Sequence, residues 1–148
     1  MAFLIISIFA FTLAVKVAKK RLPLNELYAV SLFSILLGFV TDITFDLKYN
    51  FYGYFEPGVQ FAGFLPILFI FSTAGALYVN YFPYERSFFI KSSYIFIATI
   101  FCLLYEWLSI KSGYFYHNEW TFWYSTLVYP LLFWLHILHL KFYRKYFK

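Results

Sequence analysis

The chain has 148 residues, of which 63% are apolar, 13% are charged and 28% are Phe, Tyr or Trp, and its mean hydropathy is +0.70. A soluble domain carries about 25% charged residues to coat its surface, so these proportions exclude an ordinary soluble globule and a disordered tail. The net charge of +5 does not imply nucleic acid as a partner, because the basic residues cluster at the ends of apolar runs, where they mark sidedness.

Five apolar runs predict an all-α integral membrane bundle of five transmembrane helices in a single transmembrane domain, residues 1–148. The first runs from about Ala2 to Ala18 and ends in Lys16, Lys19, Lys20 and Arg21. At 1.5 Å per residue it reaches only about 26 Å, enough to cross if Lys16 snorkels. Its basic cluster follows the apolar run, the reverse of a cleavable signal peptide, so the run is expected to be retained. Four spans plus an interfacial first helix is the alternative layout. The second span covers about Leu24 to Asp46, the third Val59 to Tyr81, the fourth Ser87 to Ile110 and the fifth Thr121 to Phe142. These lengths suit a hydrocarbon core of about 30 Å, and Pro66 and Pro130 mark expected kinks in spans three and five.

The basic residues test this layout independently of hydropathy. Five alternating spans place ten of the 12 Lys and Arg residues on one side and leave only Lys48 and Lys111 on the other. Because cytoplasmic loops collect Lys and Arg, the N-terminus is expected outside and the C-terminus in the cytoplasm. Both outer loops, Lys48–Phe61 and Lys111–Trp120, are dense in aromatic residues. Amphipathic rings suit headgroup depth, so Tyr52, Tyr54, Phe55 and Trp120 are expected to form an interfacial rim, with a ligand-binding rim as the alternative.

What chemistry the chain holds lies in polar residues inside the spans, which normally face the bundle interior. In span two, Ser31, Ser34, Gly38, Asp42 and Asp46 fall on one helical stripe, and small residues let membrane helices approach closely. Span four repeats the pattern with Ala98, Cys102 and Glu106, and span three with Ser72, Ala76 and Asn80. Asp42, Asp46 and Glu106 therefore stand near the outer ends of their helices, with Lys48, Lys111, His117, Tyr124 and the Trp120 indole as nearby donors. The polar cluster expected from this pattern is Asp42, Asp46, Glu106, Trp120 and Tyr124, serving either to lock the helices or as a proton or cation site. His136 and His139 share a face near the inner end of span five, but offer only half of a metal site.

Gly38, Asp42 and Asp46 fit G-x-x-x-D-x-x-x-D, which looks like half of the metal motif of membrane CDP-alcohol phosphotransferases. Two aspartates four apart can hold a divalent ion through hard oxygen ligands. The other half is missing: Arg21 and Leu24 stand where further aspartates belong, and the expected orientation faces away from a cytosolic substrate. No Gly-rich phosphate loop, nucleophile elbow or H-E-x-x-H is present. The single cysteine, Cys102, excludes an intrachain disulfide. No catalytic residue, metal or cofactor is predicted.

The chain resembles a family of small, uncharacterised multipass membrane proteins of spore-forming Gram-positive bacteria. The resemblance rests on Asp46 to Gly58, with its Tyr-Gly-Tyr-Phe-Glu-Pro-Gly run, on Tyr78-Val-Asn-Tyr-Phe-Pro83, on Tyr105-Glu-Trp107, and on Trp120 with Trp123-Tyr-Ser125 and Tyr129-Pro130. It implies a bacterial cytoplasmic membrane protein with four or five spans and supplies no activity. The expected function is a non-enzymatic structural or interaction module in the bilayer, self-associating or pairing with another membrane protein. A proton- or cation-coupled transporter or sensor using Asp42, Asp46 and Glu106 is the alternative.

Overall fold

A computed structural model describes residues 1–147 as five helices and one short two-stranded ribbon. Helix α1 spans Ala2–Val17 and α2 spans Leu24–Lys48, the latter α-helical to Thr41 and π-helical over Asp42–Lys48. Strand β1 is Tyr52–Tyr54. Helix α3, Phe61–Tyr81, contains a π-helical stretch at Pro66–Phe71. Helix α4 covers Phe88–Lys111, β2 covers Phe115–His117, and α5 covers Phe122–Phe147. The apolar periodicity thus forms helices as predicted. Pro66 lacks an N–H and crowds the carbonyl one turn back, and the hydrogen-bond register widens where it enters α3.

Contacts at the helix ends fix alternating directions. Arg21, Glu26, Asn80 and Arg144 meet at one end of the bundle, hereafter the basic end. Asp42, Tyr52, Glu106, Ser125 and Tyr129 meet at the other, the carboxyl end. Helix α1 runs alongside the bundle between these ends. The Phe3 ring packs on Tyr105 and Tyr114, Phe11 packs on Phe101, and the Lys19 carbonyl accepts from Asn80.

Two buried clusters hold the ends. Val30, Tyr78, Val79, Phe82, Ile137 and Leu140 tie α2, α3 and α5 together toward the basic end. Leu4, Tyr54, Ile70 and Tyr114 tie α1 and α3 to the loops at the carboxyl end. Between them α2 and α3 approach closely at Gly38, where a Cβ would come within 2.8 Å of Ile67 and 2.7 Å of Phe71. Gly75 is tighter still: a Cβ there would overlap the Ser34 hydroxyl. The outward faces stay apolar, with Phe9, Leu36, Phe96, Leu127 and Trp134 all exposed.

The two aromatic loops, expected as an interfacial rim, also contact each other. They pair as antiparallel strands, with Tyr52 opposite His117, Gly53 opposite Tyr116 and Tyr54 opposite Phe115, and Phe55 N–H extends the ladder to the Tyr114 carbonyl. Pairing satisfies backbone groups that would otherwise be desolvated on the bundle end. It turns Tyr52 and Tyr54 inward, each only 8% exposed, while Phe55 is half-buried against the Leu4 cluster. Phe55 takes a left-handed backbone at φ 56°, a conformation that is costly for a bulky residue and is held here by its backbone bond and ring contacts.

Candidate functional site

The carboxyl end is assembled by the last turns of α2 and α4, the first turns of α5, and the ribbon that crosses them. Glu106 points inward from α4 and is 4% exposed. Ser125 donates to its Oε1 at 2.7 Å and Tyr129 to its Oε2 at 2.6 Å, both from α5. The spacing explains the pair, since residues four apart stack on one helix face. His117 of β2 brings Nε2 within 2.7 Å of Oε1, an ion-pair distance reached without hydrogen-bond alignment. The Trp120 indole donates to Ser125 Oγ at 2.8 Å, so a relay runs from Trp120 through Ser125 to Glu106.

Asp42 opens the π-helical segment of α2. Tyr52 donates to its Oδ1 at 2.8 Å. Its Oδ2 is buried and has no hydrogen-bond partner, although the Tyr54 hydroxyl faces the same carboxyl. Burial, and then the Asp42 charge, push the Tyr52 and Tyr54 hydroxyls above their ordinary titration range. Both therefore stay protonated, and the one that donates is Tyr52. A cavity of about 90 Å³ lies between Asp42 and Glu106, walled by Phe45, Tyr52, Phe115 and Trp120.

The structure brings Asp42, Glu106, Trp120, Tyr52 and Tyr54 to this cavity and leaves two of the expected cluster residues off it. Asp46 lines a smaller cavity of about 40 Å³ that shares Asp42 and Tyr54 with the first, beside Gln60 and Gly63. Tyr124 is 49% exposed and touches the cluster only through its ring, 5.4 Å from Trp120. Tyr124 adjoins Ser125, and one residue turns a helix by about 100°, which is enough to put the neighbour on the cluster and Tyr124 outside it. Lys48 and Lys111 pack over the Tyr49 and Trp107 rings instead of reaching a carboxyl. Ser125 and Tyr129 escaped sequence reading, though their spacing of four at the start of α5 is a usable signal.

No family model matches the chain, and no curated protein or solved structure does either.

The histidines of α5 engage separate partners. His136 Nδ1 lies 2.7 Å from the Leu132 carbonyl, which can only accept, so Nδ1 carries a proton, and Nε2 lies 2.8 Å from the Ser34 hydroxyl oxygen, whose own proton goes to the Val30 carbonyl at 2.9 Å. His139 stacks flat on Phe33 at 4.1 Å. At the basic end, Glu26 is fully buried and receives two bonds from Arg144, at 3.1 Å to Oε1 and 2.7 Å to Oε2. That guanidinium also lies 5.1 Å from the Tyr84 ring. Asn80 closes the adjoining turn: it accepts from the backbone N–H groups of Arg21 and Leu22 and donates to the Lys19 carbonyl.

Proposed function

We propose that this is a multipass protein of a bacterial cytoplasmic membrane that works by packing and interaction rather than by catalysis, with the carboxyl end outside and the basic end in the cytoplasm. The membrane setting is supported by three helices long and apolar enough to cross, Leu24–Lys48, Phe61–Tyr81 and Phe88–Lys111. It is supported too by apolar side chains exposed along the helices, since soluble monomers rarely expose large contiguous apolar patches. Helix α5 is the longest, but its Tyr, Trp, His and Pro residues dilute its hydropathy. Helix α1 is 16 residues long, about 24 Å, and runs the length of the bundle, so we count five spans. Lys16, Lys19, Lys20, Arg21, Arg86, Lys91, Lys141, Arg144 and Lys145 fall at the helix ends and turns of one end, which supports this orientation.

The observation that carries the interaction reading is the use made of Glu106. Both of its oxygens accept from α5, and Oε1 also lies against β2. Its carboxyl joins a helix to its neighbour and to the ribbon, and so fixes the shape of the outer surface available to a second copy or another membrane protein. Glu106→Gln keeps the size and one acceptor oxygen but turns the other oxygen into a donor facing a hydroxyl. The expected cost is about 2 kcal/mol, the scale of a mispaired buried group, read as a lower melting temperature in detergent and reduced yield from membranes. Unchanged stability and yield would remove the basis of this role.

A further inference from the structure

We propose that the cavity between Asp42 and Glu106 binds a small organic ammonium ion, with Asp42 Oδ2 as its charge partner. This goes beyond the packing role of Glu106 and rests on a different atom. Asp42 is 7% exposed, and its Oδ2 is buried without a hydrogen bond while the residue lines the cavity. A buried carboxylate oxygen with no donor is costly, and a bound cation removes that cost. The donors to Glu106 from α5 are neutral hydroxyls, and no Lys or Arg side chain forms an ion pair with Asp42 or Glu106 among the described residues. The cavity therefore has two acidic walls: Glu106, with His117 against it at 2.7 Å, and Asp42, with no basic side chain paired to it among the described residues.

The chemistry of the walls selects the kind of cation. A hard divalent ion takes six or more oxygen ligands, yet Asp42 offers one open oxygen and both Glu106 oxygens already accept. Among the described residues no group of three His, Cys, Asp or Glu side chains could hold a metal ion. Most of the remaining walls are rings, beside Thr41, Ser125, Val128 and Leu132: the Trp120 centroid lies 5.4 Å from Phe45 and 5.6 Å from Tyr52. Aromatic faces attract a desolvated alkylammonium, and an N–H of that ion supplies the donor that Oδ2 lacks. A cavity of about 90 Å³ is smaller than the roughly 150 Å³ that accepts benzene, and so suits a small ion such as ethylammonium.

The test uses the full chain purified in detergent and titrated with ethylammonium chloride, against ethanol as the neutral analogue, sodium chloride at equal ionic strength, and tetrapropylammonium as an ion too large to enter. The expected result is a saturable rise in melting temperature and a saturable change in tryptophan emission with ethylammonium alone. Asp42→Asn should weaken that response about tenfold or more, the equivalent of one charged hydrogen bond. Equal responses to ethanol, sodium or tetrapropylammonium, or no response to ethylammonium, overturn the proposal, as does an Asp42→Asn protein that binds as tightly as the parent. Should Asp42→Asn fail to fold, the four-solute comparison on the parent decides alone. No ethylammonium response in the parent, together with a destabilising Glu106→Gln, would sink the ligand and leave the packing role standing.

Discussion

The two ends of the bundle bury acidic groups in opposite ways. At the basic end Glu26 has no solvent exposure and meets an arginine fork, both oxygens engaged by one guanidinium. At the carboxyl end Glu106 is met by two hydroxyls and a histidine, and Asp42 by one tyrosine with an oxygen left over. The first arrangement cancels charge within the protein and leaves nothing to recruit. The second orients the carboxyls while leaving charge for something else to neutralise. A closed lock and an open cradle thus occupy opposite ends of the same helices, and substitutions at each end should separate them.

The largest effect is expected at the lock. Arg144→Met removes both guanidinium bonds from a fully buried carboxylate and the contact over Tyr84. Breaking a buried pair from one side costs about 3 to 5 kcal/mol, and the low end applies because Arg144 is 35% exposed. Arg144→Lys should recover only part of the loss, since an ammonium cannot reproduce the two-pronged geometry. Melting temperatures in detergent for the three proteins check this, and a parent-like Arg144→Met would mean that the basic end is not a lock.

A smaller loss is expected from Asn80→Ala, which deletes three bonds to the turn between α1 and α2. At roughly 0.5 to 1.5 kcal/mol net per bond, and with water able to reach part of the turn, the cost should be about 2 kcal/mol. The local readout is sharper than the global one. Trypsin should cleave faster after Lys19, Lys20 or Arg21 in the variant, and equal cleavage rates would show that Asn80 does not hold the turn.

The helices were legible because their apolar runs are long and end in turn or basic residues, from Pro23 ahead of α2 to Lys111 at the end of α4. The stripe of Ser34, Gly38 and Asp42 was legible too, because helix geometry alone places them together, and all three are buried. What the sequence concealed is the pairing across the chain. Nothing local in Lys48–Phe61 or Lys111–Trp120 announces that two aromatic loops some sixty residues apart zip into a ribbon. Tyr52 therefore looked like a rim residue although it is the donor to Asp42. The Glu26 and Arg144 pair joins residues 118 apart, and charge counting assigned Arg144 to membrane sidedness, a role compatible with its ion pair.

The smallest effect, and the one that tests the contrast most directly, is expected from Tyr52→Phe. The substitution removes the one hydrogen bond to Asp42 Oδ1 and keeps the ring that packs on Phe115 and Trp120. In a dry, closed site the loss of a donor to a buried carboxylate would cost as much as other charged hydrogen bonds, about 1.5 to 3 kcal/mol. The cavity beside Asp42 has room for water, which can take over the vacated oxygen at little cost in immobilisation. Tyr52→Phe should therefore lower stability by only about 1 kcal/mol and strengthen the competition between water and a cation at the same carboxyl. A loss as large as that of Arg144→Met would make the two ends equivalent, both closed by direct bonds, and the cradle would then be a second lock.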